Sequence, residues 1–142
     1  MNNMFLFNLG RFMGWLVAIG FIGAALNPVF KWINKHIMMK RQRDDGLRKG
    51  YQAFLRHYLK AHPFVGLTTA VFLIVHLAIQ FSFYGFYLTG MIAGLLLLAQ
   101  TGLGAYGQWR QKRRPGTWLT IHRWITVVMV VAVVVHIAGA RS

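Results

Sequence analysis

The chain has 142 residues, of which 56% are hydrophobic and only 13% charged, and its mean hydropathy is +0.47. That length has room for one domain, and the composition suits a bilayer better than water. With no cysteine, disulfides, thiolate metal sites, iron–sulfur clusters and thioether-attached haem are excluded; with Asp44 and Asp45 as the only acidic residues, so is paired-carboxylate acid–base chemistry.

The charges lie in blocks that leave Phe12 to Phe30, Ala61 to Trp109 and Trp124 to Ala140 free of Lys, Arg, Asp and Glu. A membrane-crossing helix needs about 20 mostly apolar residues, and the first gap predicts one near 8–34. This stretch is apolar and ends in small residues, as a secretory signal does, but no basic region precedes it. It is read as a retained first helix. In the connection 35–62, Leu47, Tyr51, Phe54, Leu55, Tyr58 and Leu59 recur at helical spacing among Arg48, Lys49, Arg56 and Lys60. That pattern predicts a basic amphipathic helix lying on the membrane surface. The 49 uncharged residues from Ala61 to Trp109 hold two helices, near 63–84 and 87–108, with Gly85 as the turn between them. The last helix is expected near 117–140, with Thr117 as its cap after Pro115 and Gly116. The expected fold class is all-α, an integral-membrane four-helix bundle forming a single domain over 1–142.

Of the 16 Lys and Arg residues, nine lie from Lys31 to Lys60 and four from Arg110 to Arg114, in connections on the same side of such a bundle. The positive-inside rule makes that side cytoplasmic and sends both termini outward, as for a protein of a bacterial inner membrane. A net charge of +14 on a soluble chain would point to nucleic acid. Here, basic clusters flanking apolar spans are explained by topology and anionic lipid headgroups, so membrane lipid is the expected partner and nucleic acid is not.

Four of the six histidines form two pairs of equal spacing, His62 with His76 and His122 with His136, each 14 residues apart. Fourteen helical residues rise about 21 Å and fall about 40° short of four turns, so both members of a pair share one face. The second and fourth helices run in the same direction. His62 is therefore level with His122 near the cytoplasmic side, and His76 with His136 near the outer side. Each level offers two imidazoles and no Cys, Asp or Glu, too few for a closed zinc site. A porphyrin already supplies four nitrogens and asks for two axial imidazoles. The expectation is two non-covalent b-type haems, with His62, His122, His76 and His136 as iron ligands. Ionisable residues inside a membrane favour a functional reading over a merely hydrogen-bonded one. His36 and His57, in the basic connection, have no partner at this spacing and are read as solvated or at headgroup level.

Gly90 and Gly104 of the third helix are also 14 apart and fall at the two histidine levels, where they give room to a porphyrin face or serve ordinary small-residue packing. Gly10 and Gly23 of the first helix are candidates for the same role. Arg123, Arg56 and Lys60 are candidate partners for the propionates of the cytoplasmic-side haem, and Arg11 and Arg141 for those of the outer one. Trp109, Trp118 and Trp124 are read as interface anchors.

With these residues in view, the chain resembles the diheme membrane cytochromes b, including the cytochrome b561 and ferric-reductase-like groups, over roughly residues 50–140. The segments His62-Pro63-Phe64-Val65-Gly66 and Trp118-Leu119-Thr120-Ile121-His122-Arg123 are similar to the helix-opening segments of that class. The resemblance implies electron transfer, by a quinol-linked or ferric-type reductase or by a cytochrome subunit of a larger redox complex, with a quinol or redox protein as partner. The chain is much shorter than a respiratory cytochrome b, and it shows no motif similar to a quinol-oxidation loop and no flavin or nicotinamide domain. The competing readings are a haem-free transporter or channel using its histidine pairs for protons or metal, and a structural membrane subunit.

Overall fold

Two backbone breaks, at Leu26 and Gly85, set the architecture. The computed structural model describes residues 3–85, 87–112, 114 and 116–139, and among them all regular structure is helical. The five α-helices are α1 (Asn3–Ala25), α2 (Asn27–His36), α3 (Gly46–Tyr84), α4 (Leu88–Ala105) and α5 (Thr117–Gly139). Pro28 lacks the N–H that would reach the Ala24 carbonyl, so the helix expected over 8–34 divides into α1 and α2 at Leu26. The break is mild: Leu26 N–H still bonds Ile22 O at 3.1 Å, and Phe30 N–H bonds Leu26 O at 3.0 Å.

A 3-10 turn, Met38–Lys40, then leads to Asp45, which caps α3. Its Oδ1 accepts the N–H groups of Leu47 at 2.8 Å and Arg48 at 3.4 Å, while its Oδ2 receives Arg41 Nε at 2.6 Å. From this cap α3 continues for 39 residues, passing through Pro63. It is about 58 Å long, nearly twice the roughly 30 Å of a hydrocarbon core.

The expected start at residue 63 and the separate surface helix of the 35–62 connection are therefore corrected. Residues 46–62 are the first part of α3, and a proline alone does not end the helix. What holds this part straight is α2, folded back along it. The Phe30 ring meets Tyr58 at 4.8 Å and Phe54 at 5.4 Å, both edge-on, and Tyr51 Oη donates to Phe30 O at 2.9 Å. Tyr58 Oη donates to Gly23 O. Of the apolar stripe seen in the sequence, Tyr51, Phe54 and Tyr58 meet α2 and Leu55 is buried, while Leu47 stays exposed.

Gly85 ends α3 at φ 67° and ψ −142°, a conformation open in practice to glycine alone, and its N–H returns to Phe81 O at 3.0 Å. After α4 the chain widens into a π-helical turn, Tyr106–Arg110, against which the Trp118 ring lies on Gly107. Trp118 is thus packed, its Nε1 donating to Arg114 O at 2.9 Å, whereas Trp109 and Trp124 stay exposed as interface anchors would. Thr117 is the first residue of α5.

Antiparallel neighbours build the bundle, α1 on α3, α3 on α4 and α4 on α5, so α3 and α5 run parallel. These two make little backbone contact with each other. Phe21, Leu73, Leu97 and Met129 form the core, with Met129 only 2% exposed. Thr69 is buried beside them against Gly20, its hydroxyl donating to Val65 O at 2.7 Å. The outward faces keep Ile19, Ile22, Ile74, Leu95, Val127, Val131 and Val134 exposed. The four helical stretches Met4–Lys40, Gly46–Phe83, Leu88–Arg110 and Thr117–Gly139 are long and apolar enough to cross a membrane, and these faces suit lipid contact.

Candidate functional site

The helix directions put the four histidines of α3 and α5 at two levels. His62 and His122 are close enough for the charge of one to be felt at the other, and so are His76 and His136. Both pairings are those expected from the 14-residue spacing. Halfway along each interval stands a residue of the buried layer: Thr69 between the two histidines of α3, Met129 between those of α5, and Leu97 between Gly90 and Gly104 of α4. A largely apolar layer thus separates the two levels. Beside it a cleft of about 40 Å³, lined by Gly20, Thr69, Gln100, Thr101 and Met129 among others, is large enough for water and little more.

Three of the four imidazoles, those of His76, His136 and His122, are seated against a neighbouring helix. His76 Nδ1 lies 2.8 Å from the carbonyl of Gly10, and its ring rests on Gly14, where an added Cβ would stand 2.9 Å from Cε1. A carbonyl only accepts, so Nδ1 carries the proton and Nε2 keeps its lone pair. His136 rests on Gly90, with an added Cβ 3.0 Å from its Cε1, and its Nδ1 is 3.4 Å from Thr89 Oγ1. His122 lies over Gly104 more loosely, at 3.5 Å, beside the backbone of Gln100. The glycines of α4 are therefore beneath the imidazoles of α5.

On α1 the two glycines singled out from the sequence behave differently. Gly10 packs on Ile79 and contributes its carbonyl to His76, whereas a side chain at Gly23 would meet nothing. The glycine beneath His76 is Gly14, which no spacing signal marks. His57 is exposed, with Nδ1 2.8 Å from Ala53 O, and exposed His36 lies beside Trp32 at 5.2 Å, as expected for residues outside the levels.

At the His62 and His122 level both Nδ1 atoms are buried without a hydrogen-bond partner. Such an unmet polar atom costs about 1–3 kcal/mol. Nearby, Gln100 Nε2 donates to Thr126 Oγ1 at 2.5 Å, and Thr126 donates to His122 O at 2.9 Å. Gln100 Oε1 is left buried and unpartnered.

Cations surround the same level. Lys31 of α2 is within electrostatic reach of both His62 and Arg123. Arg123 is exposed beside His122, and Arg56 and Lys60 are exposed on α3. Lys31 joins the set through tertiary packing, which the sequence order hides. At the other end Arg11 lies 5.8 Å above the Phe7 ring, and Arg141 falls outside the described residues.

Among the described residues no three or more of His, Cys, Asp and Glu converge as a metal-ion site would need. Two imidazoles per level suit a cofactor that brings its own equatorial ligands. The unmet Nδ1 atoms, the Nε2 lone pair of His76 and the glycine seats at Gly14 and Gly90 fit such a group. Comparison with protein-family models, curated proteins and solved structures finds no match for this chain.

Proposed function

We propose that this chain is a small membrane cytochrome that carries electrons between the two faces of a bilayer. Two b-type haems are held by paired imidazoles, one by His62 and His122, the other by His76 and His136. The observation that carries this reading is the placement of one imidazole pair at each end of the bundle, each pair drawn from the parallel helices α3 and α5. The spacing of the four histidines is similar to that in the diheme cytochromes b and supports this reading. Haem supplies a one-electron Fe(III)/Fe(II) couple; binding and tuning fall to the chain.

The Gly10 carbonyl holds the His76 proton on Nδ1, which would leave Nε2 to ligate iron, and Thr89 Oγ1, 3.4 Å from His136 Nδ1, would serve the same end where it accepts. Phe21, Leu73, Leu97 and Met129 keep water from the layer between the levels. Lys31 and Arg123 supply cations for propionates at one end, with Arg56 and Lys60 further out, and Arg11 supplies one at the other. The basic segments face the cytoplasm and the termini face outward, as in a bacterial inner membrane. The electron donor is a quinol or a soluble redox protein. On this reading the chain serves as a free-standing transmembrane reductase or as a cytochrome subunit within a larger redox complex.

The deciding experiment is a dithionite-reduced minus oxidised spectrum of detergent-purified protein, with a pyridine haemochrome count. Two b haems per chain are expected. Replacing His62 or His122 with Ala should remove one, and replacing His76 or His136 the other. Folded protein that takes up no haem would overturn the reading and leave a haem-free membrane transporter in its place.

A further inference from the structure

The two ends of the bundle differ in height. Before His62, α3 has 16 residues back to Gly46, a rise of about 24 Å, whereas α5 has five residues before His122, a rise of about 8 Å. Since His62 and His122 are level, the α2/α3 hairpin stands roughly 16 Å above the α4–α5 connection. It is an ordered prong: Arg48 donates to Arg41 O at 2.8 Å, Asp45 caps α3, and the Phe30, Phe54 and Tyr58 rings join its two helices. The result is a step, with the prong as its riser and the described residues between 106 and 123 as its tread.

Both surfaces of the step are basic. The riser presents exposed Lys35, Lys40, Arg43, Arg56 and Lys60; the tread presents exposed Arg110, Lys112, Arg114 and Arg123. Asp44 and Asp45, the only acidic side chains of the chain, pair with Lys49 at 3.1 Å and Arg41 at 2.6 Å, so among the described residues none of these nine cations has an acidic side-chain partner.

Lipid headgroups reach the tread, Arg56 and Lys60, but not Lys35, Lys40 and Arg43 at the outer end of the prong. The uncharged span of α3 begins at Ala61, and the headgroup layer adds only about 5–8 Å beyond the hydrocarbon. The prong tip lies about 15 Å further out. There Ile37, Met39 and Leu47 are 45%, 50% and 57% exposed among the cations, an apolar and basic mixture suited to a protein surface.

We infer that the step is a docking seat for an acidic soluble protein, placed directly above the His62 and His122 level. On the reading of the chain as a cytochrome, its occupant is the one-electron donor for that level. Surface potential of this kind raises association rates and falls away with salt.

The test uses the intact chain in phosphatidylcholine nanodiscs, which carry no anionic lipid, and fluorescently labelled flavodoxin, an acidic electron carrier, as the probe. Saturable binding, read by anisotropy, is expected at about 50 mM salt and should be lost by about 500 mM. The double variant K40E/R43E, which touches none of the internal contacts of the prong, should weaken binding about tenfold, while R11E at the opposite end leaves it unchanged. Absence of saturable binding, or equal binding by K40E/R43E, overturns the inference. So does K40E/R43E losing only its attraction for phosphatidylglycerol vesicles, which would assign the step to lipid. The anisotropy reading does not depend on haem, so failure of the cytochrome reading would show separately in the absorbance spectrum.

Discussion

His76 of α3 and Gly14 of α1 form a ring-on-backbone contact in which an added Cβ would stand 2.9 Å from the imidazole Cε1 and 3.1 Å from Nδ1. Nothing but hydrogen fits at position 14 while the ring holds its bond to Gly10 O. Gly14→Val should therefore displace His76, and on the cytochrome reading lower the haem count from two towards one. Gly90→Val should do the same through His136, whereas Gly104→Ala, with 3.5 Å of clearance to His122, should keep both haems. Pyridine haemochrome counts on the three variants separate these outcomes.

Gln100 ties α4 to α5 through Thr126, one turn beyond His122. Gln100→Leu removes that tie and leaves the Thr126 hydroxyl without its donor. On the cytochrome reading, one of the two reduction potentials should shift and the other hold, measured by redox titration of the haem absorbance. Equal shifts in both, or none, would show that Gln100 does not bear on His122.

Gly85 turns the chain at φ 67°, with an extended, negative ψ that side chains do not tolerate. Gly85→Val should cost on the order of 1–3 kcal/mol. Thermal unfolding in detergent, followed by circular dichroism, measures the loss. Gly50, whose added Cβ would meet nothing, is the control.

The prong should be acid-sensitive at its cap. The hydrogen bond from Arg41, helped by the N–H groups of Leu47 and Arg48, holds the Asp45 carboxyl below the ordinary carboxylate range. A lowered value in the folded state means that the cap contributes fully at neutral pH and is lost only as pH falls through that lowered value, on the acid side of the ordinary carboxylate range. Protection of the Leu47 and Arg48 amides, taken relative to the free-chain exchange rate at each pH, should be high at pH 7 and lost only under acid, whereas Asp45→Ala should remove it at either pH. Equal exchange in the two proteins at pH 7 would show that the cap is not holding the first turn.

Much of the membrane bundle was legible because its signals are local. Charge-free stretches mark spans, a glycine marks the α3–α4 turn, and an interval of 14 keeps its face on any α-helix whatever surrounds it. What escaped depends on other helices. Pro63 reads as a helix start, yet the stretch before it is held in line by Phe30 of α2, 24 residues away from Phe54 in sequence. Pro28 reads as an ordinary member of an apolar run, yet its missing N–H divides that run. Gly14 is one of several glycines on α1, and only the antiparallel register of α1 on α3 selects it. Lys31 and Gln100 carry no periodic mark at all; the first comes to the His62 level through α2, the second through its reach to α5.

The buried layer lies seven residues from each histidine of α3 and α5 and from each glycine seat of α4, so three helices share one phase across the bundle. Phase is harder to change than side-chain size. One residue inserted between Thr69 and His76 would swing that imidazole, and every α3 residue after it, by about 100° relative to Thr69. The spacer residues can exchange one apolar group for another, but their number cannot alter on a single helix. A chain lengthened to span a thicker membrane would have to grow outside the two levels, as α3 already does on its basic side.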